Sequence, residues 1–269
     1  MATKFSDHVL LDGDSVPVKY QTKLDSPGVV SFKEGDVVIS SSKLSTTGQN
    51  VSFKTPERKF SFKTKFIASH NLPALALAYL VGLILDVDEA DMKSILEDLE
   101  PFPGRMQVIK GVKGSLIIDD TYNSSPEAAI AALGTLYGLK AEHKIAILGQ
   151  MNEMGDFSQG YHEEVGRYCD PKQLDLVATI GKDANQYLAK EAEAKGCKVL
   201  KFETPYHAGE IIASMLKKDT IVLIKGSQNG VFAEETVKLL LENPEDQSKL
   251  VRQSEGWLKT KRDCFKGKV

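Results

Sequence analysis

Cysteine is scarce in this chain. Only Cys169, Cys197 and Cys264 occur in 269 residues, an odd number with no C-x-x-C spacing. A disulfide framework and a Cys-based zinc site are therefore not expected, and a reducing cytoplasm fits. Neither sign of charge dominates: 34 Lys and Arg against 37 Asp and Glu give a net −3. That balance argues against a broad nucleic-acid-binding surface and against a polybasic membrane patch, so neither nucleic acid nor membrane is expected as a partner. Long hydrophobic runs are missing as well. The longest largely apolar stretch, Leu72 to Val87, covers 16 residues with Pro73 and Asp86 inside it. It is short for a membrane span and reads as a buried helix. The opening MATKFSDHVLLDGDS has no signal-peptide h-region. Several catalytic signatures do not occur: no GxxxxGK[ST] phosphate loop, no HExxH, no GxSxG. The five histidines (His8, His70, His143, His162, His207) are scattered without ligand spacing, so no metal site is expected.

What is present is ordinary globular material, 42% hydrophobic and 26% charged. At about 100–200 residues per domain, the length suggests two domains or one large one. Residues 1–70 read as strand-rich. VVSF (29–32), DVVIS (36–40) and KFSFKTKFIAS (59–69) carry β-branched and alternating patterns, and Phe60, Phe62 and Phe66 share one side. This is the period of a half-buried antiparallel sheet. STTGQN (45–50) reads as a turn. A buried helix follows from His70, then an acidic-ended helix at about 88–99 with Met92, Ile95, Leu96 and Leu99 on one face. PFPGR (101–105) stops it and marks a domain boundary near residue 104.

Beyond that point strands and helices alternate. SLIID (115–119), KIAILG (144–149), DLVATIG (175–181), KVLKF (198–202) and TIVLIKG (220–226) are strand candidates. Helical segments lie near 126–137, 160–169, 183–195, 207–216 and 231–242. Apolar strands separated by helices predict a doubly wound, mostly parallel α/β sheet covered on both faces. In such sheets ligands gather at the carboxyl ends of the strands. Three domains or segments are expected: 1–104, 105–245, and a peripheral helix or tail over 246–269.

Three carboxyl-end loops carry the chemistry-bearing residues. DDTYNSSPEA (119–128) opens a helix that Ser124 or Ser125 can cap, with Pro126 in its first turn. Asp119 and Asp120 can accept from ribose hydroxyls or orient an amine; solvated aspartates in a capped βα turn are the equal alternative. KGSQNG (225–230) sets Lys225 beside Gly and Ser, an arrangement that can hold a phosphate or carboxylate or be an ordinary Gly turn. GQMNEMG (149–155) offers Gln150, Asn152 and Glu153 to a cleft, or is a plain βα connection.

Taken in order, HN before an Ala-rich helix, GRM, DDTYNSSPEA, LGQMNEMG…HEEVG and LIKGS…EE resemble the Mur ligases of bacterial peptidoglycan synthesis. Within them the DDTYN stretch most resembles the branch that adds D-alanyl-D-alanine. The resemblance is specific over 70–240 and looser over 1–69, which is similar to the later part of the family's central ATPase domain. It implies a cytoplasmic, ATP- and Mg²⁺-dependent ligase of cell-wall biogenesis, acting on a UDP-N-acetylmuramoyl peptide and D-Ala-D-Ala. ATP phosphorylates the peptide carboxylate and the dipeptide amine displaces phosphate. By the same resemblance Asn71 lies on the nucleotide side, Arg105 reaches ATP phosphates and Asp120 contacts the ribose. Tyr122 and Asn123 face the cleft, and Lys225 and Ser227 lie near the incoming dipeptide. Ala74, Gln150 and Gln228 replace residues usual in the family, an Asn, an Asp and an Arg.

The family's UDP-binding domain, phosphate loop, metal ligands and carbamylated Lys have no counterpart in these 269 residues. The expectation is a C-terminal portion, without a complete catalytic set and inactive or nearly so by itself, with a separate N-terminal half as a possible partner. The alternatives are a non-catalytic binding module derived from such a ligase, or another Mur-type ligase such as a folylpolyglutamate or cyanophycin enzyme.

Overall fold

The computed structural model describes residues 9–21 and 28–267; His8, among the histidines above, lies outside them. The chain divides into two units, 1–100 and 101–269. The division falls just before PFPGR, where Pro101 and Pro103 deny a helix its backbone donors.

The first unit is a five-stranded sheet in the order β1 (Leu10–Asp12), β2 (Gly28–Ser31), β3 (Val37–Ser41), β4 (Gln49–Lys54) and β5 (Lys59–Thr64). A short helix, α1 (Val18–Gln21), lies between β1 and β2. The antiparallel reading holds only for β3–β4–β5; β1, β2 and β3 pair in parallel. Alternation reports which side chains face the core, and that period is the same for either strand direction. Residues 49–50 of the expected turn open β4. Phe60 and Phe62 are buried on one face, whereas Phe66 lies past the end of β5. Against that face packs α2 (Leu72–Ile84), with Leu72, Leu75, Ala76 and Tyr79 inside; α3 (Glu89–Asp98) adds Met92 and Leu96. The Tyr79 ring stacks on Phe60 at 4.6 Å between centroids. Asp88 caps α3 by accepting from the amides of Ala90 and Asp91.

The second unit is a six-stranded sheet. Its strands are β6 (Gln107–Gly111), β7 (Ser115–Asp120), β8 (His143–Gly149), β9 (Leu176–Ile180), β10 (Val199–Phe202) and β11 (Thr220–Lys225), in the order β10–β9–β8–β11–β7–β6. All neighbours are parallel except the edge strand β6, which runs against β7. Every residue of β9 and β11 is buried, as both-face cover requires. One layer of helices is α4 (Pro126–Gly138), α5 (Ser158–Tyr168) and α6 (Ala189–Ala194), the last entered through a π turn at Ala184–Leu188. A second pair, α7 (Pro205–Met215) and α8 (Glu234–Leu240), packs together and joins Ile117, Ile147 and Ile224 in the main core. Ser125 caps α4 through the amide of Ala128, with Pro126 at its first position.

Residues 246–267 are held against this unit. They end in α9 (Glu255–Cys264), where Lys261 is 1% exposed and Phe265 is buried. Strand β11 lies between β7 and β8, so the order reverses there, and the carboxyl ends of all three strands meet at the reversal. This is where an open α/β sheet forms its crevice.

Candidate functional site at the carboxyl ends of the parallel strands

Register brings the first two candidate residues together. Lys225 and Asp120 are direct partners across β11 and β7. The Lys225 ammonium meets Asp120 Oδ2 at 2.6 Å and also donates to the Asn123 carbonyl at 3.0 Å. Both side chains are below a tenth exposed. The second Asp120 oxygen accepts the Met106 amide at 3.2 Å. Lys225 is thus committed to the 120–123 turn rather than presented to solvent. A buried pair of this kind holds geometry more than it adds stability, and losing one partner strands the other.

Asp119, one residue earlier, has a different setting. It is fully buried; Oδ1 accepts from the Thr121 amide and hydroxyl, and Oδ2 has no hydrogen-bond partner. Burial is the main cause that pushes its carboxyl up to about 6, against the lowering effect of the Thr121 bonds, with Asp120 and Glu234 adding repulsion.

Ser227 ties the neighbouring loops. Its hydroxyl accepts the Asn152 amide at 3.0 Å and donates to the Ser124 carbonyl at 3.3 Å. Its own amide donates to the Gln150 carbonyl. Gly226 and Gly149 approach so closely that a Cβ on Gly149 would sit 2.6 Å from Val231 and 3.1 Å from the Gly226 Cα. Only glycine fits where these strand ends converge. Asn152 donates to the carbonyls of Gln228 and Asn229, and the Gln150 side chain accepts the Asp183 amide at 3.0 Å.

His162 has a tethering role that spacing did not disclose. Its Nε2 accepts the Met151 amide at 2.9 Å, so the proton sits on Nδ1, which faces the Ser158 carbonyl at 2.7 Å. Burial lowers its pKa, consistent with a neutral ring.

Arg105 and Tyr122 stand together at the open side. The guanidinium carbon lies 4.1 Å from the Tyr122 ring centroid, a cation–π stack. Both residues are exposed, and the Tyr122 amide donates to the Gly104 carbonyl at 3.0 Å. Gly104 has φ +66, and a Cβ there would lie 2.9 Å from that amide nitrogen. The pair lines a cavity of about 620 Å³ with Phe102, Pro103, Gln228, Leu250, Val251, Arg252 and Trp257. The last four fall in the 246–269 segment that the sequence presents as a peripheral helix or tail, marked by a lone Trp in an otherwise polar helix. The Asn123 side chain is exposed beside the turn. Asn71 belongs to the first unit, partly buried at the start of α2 and making no side-chain cap bond. Among the described residues no three His, Cys, Asp or Glu converge as a metal-ligand set.

A doubly wound sheet with these three loops at its switch point defines a class. Residues 104–228, within the second unit, match the family model described as Mur ligase, glutamate ligase domain. The particular likeness is to the D-alanyl-D-alanine-adding enzymes. The UDP-N-acetylmuramoyl-tripeptide–D-alanyl-D-alanine ligase of Haemophilus influenzae is 29% identical over 61% of this chain and 36% of its own length. The ligase of the same name from Bacillus subtilis is 28% identical over 68% of this chain and 40% of its own. The solved MurF ligase from Thermotoga maritima in complex with ADP aligns with a TM-score of 0.74 at 25% identity, covering 91% of this chain and 55% of that one. The chain spans less than half the length of the curated relatives it matches.

Proposed function

We propose that this chain supplies the C-terminal, nucleotide- and dipeptide-side part of an ATP-dependent ligase that adds D-alanyl-D-alanine to a UDP-N-acetylmuramoyl peptide in the bacterial cytoplasm. The observation that carries the reading is the carboxyl-end cluster: the Asp120–Lys225 pair locks the DDTYN turn beside the Arg105–Tyr122 cleft. In this reading Arg105 offers its guanidinium to ATP phosphates, where a delocalised cation suits anionic oxygens. Asp120 keeps lone pairs for a ribose hydroxyl while Lys225 offsets its charge. Asn123 lines the approach of the dipeptide, and Lys225 and Ser227 hold the loops that bound it. Orienting the amine against an activated carboxyl is the main task left to such groups, since amide formation gains from positioning and charge stabilisation. ATP fits the donor set, whereas the described residues present no cluster of ligands for Mg²⁺.

The test is phosphate release dependent on D-Ala-D-Ala, with ATP and UDP-N-acetylmuramoyl-tripeptide, from the chain with and without a separately expressed N-terminal half of a MurF ligase. Turnover that appears only with the added half supports the reading. Absence of turnover in both, with a different protein bound instead, favours a non-catalytic binding module. Ala74, Gln150 and Gln228 are the residues that lend that second reading weight.

A further inference from the structure

The far wall of the Arg105–Tyr122 cleft comes from residues beyond the matched stretch 104–228. At its centre is Arg252, whose side chain is 6% exposed. Nε and Nη2 grip both oxygens of Glu234 at 2.8 and 2.7 Å. The remaining donors reach across to the DDTYN turn: Nη1 to the Tyr122 carbonyl at 3.0 Å and Nη2 to the Thr121 carbonyl at 2.6 Å. The Arg252 carbonyl accepts from Lys261 at 2.9 Å, and Lys261 also pairs with Glu234 and Glu235. Glu234 is fully buried. Burying two cations and two carboxylates adds little net stability over apolar packing, so the network's product is a fixed geometry.

The fixed object is Tyr122. Its carbonyl is held by Arg252, its amide by Gly104, and its ring lies against Arg105. Trp257, the one tryptophan in the sequence, lines the same cavity. We infer that the segment Leu250–Trp257 is the second wall of the nucleotide cleft, with Arg252 the positioning residue that holds Tyr122 against Arg105 and Trp257 a wall residue facing the bound nucleotide. The inference rests on the reading above that this cleft takes ATP.

Because Trp257 is the only tryptophan, intrinsic fluorescence of the full chain reports the cleft directly. ATP titration of the unaltered chain is expected to change that fluorescence saturably. Arg252→Lys keeps the charge but loses the fork, and is expected to raise the apparent Kd for ATP tenfold or more. Tyr122→Ala should do the same, and adding Arg252→Lys to it should then cost less than twofold, because one residue acts through the other. Hydrogen exchange of Arg252→Lys should quicken at the Tyr122 amide and stay unchanged along β8 and β11. An equal penalty from Arg252→Lys in both backgrounds, or none in either, overturns the positioning role. Should Arg252→Lys not fold, Trp257→Phe leaves the ion network intact. It is expected to weaken ATP binding severalfold by calorimetry, and unchanged binding overturns the wall assignment. ATP held in equilibrium dialysis with no change in fluorescence defeats this inference alone. No ATP held at all defeats the nucleotide reading itself.

Discussion

Asp119 and Asp120 are adjacent carboxylates with opposite surroundings. Asp120 is met by an ammonium and an amide. Asp119 is buried with one oxygen unpartnered, and its carboxyl is pushed up to about 6. The unfolded value for Asp is about 3.9. The folded chain therefore binds the proton more tightly, and stability from this group is present below about pH 4 and lost as pH rises through 6. Asp119→Asn removes the titration while keeping an acceptor for Thr121. Urea unfolding at pH 4 and pH 7 should show the variant gaining on the parent as pH rises, by roughly 2 kcal/mol for a two-unit difference. Parallel stabilities across that range would rule out the buried, proton-bound Asp119. The sequence made both aspartates visible as candidates. The family resemblance singled out Asp120, but the residues did not show why the two settings differ, since the difference lies in register: Asp120 pairs with Lys225 and Asp119 with Ile224.

At the scale of elements, tethers decide whether loops hold shape. His162 on α5 accepts the Met151 amide in the loop after β8. Replacing it by Ala leaves that buried donor unsatisfied, at a cost of about 1–3 kcal/mol. In His162→Ala, hydrogen exchange should rise over residues 150–154 while β9 stays protected; unchanged exchange would show that His162 does not hold the loop. The parallel strands β7 to β11 were legible from apolar runs, and α4 from its Ser125–Pro126 start. Edge strand β6 was not, because Gln107, Lys110 and Gly111 break the apolar run where only one side needs partners. The Arg252 strap was not legible either. Its meaning depends on reaching carbonyls some 130 residues away in sequence, and no local spacing records such a contact.

On the scale of the whole molecule, charge is almost balanced. Residues 105–269 carry 23 basic and 23 acidic side chains, so no global positive field draws an anion toward the cleft. Around the cleft, the cations Lys225, Arg252 and Lys261 are each matched by a carboxylate within 3 Å. Among the described residues the Arg105 guanidinium has only the Tyr122 ring as a partner, and it is exposed in the cavity. Nucleotide affinity should then depend on this one guanidinium and fall only gently with salt. Exposed charges farther away than about 8 Å are already screened at 0.15 M. Arg105→Ala is expected to weaken ATP binding about tenfold or more, within the 1.5–3 kcal/mol of a charge-assisted hydrogen bond. The same titration between 0.05 and about 0.3 M salt should change affinity of the unaltered chain much less than that substitution does. A steep salt dependence that persists in Arg105→Ala would place the attraction in a distributed field, which the balanced composition of this unit does not provide.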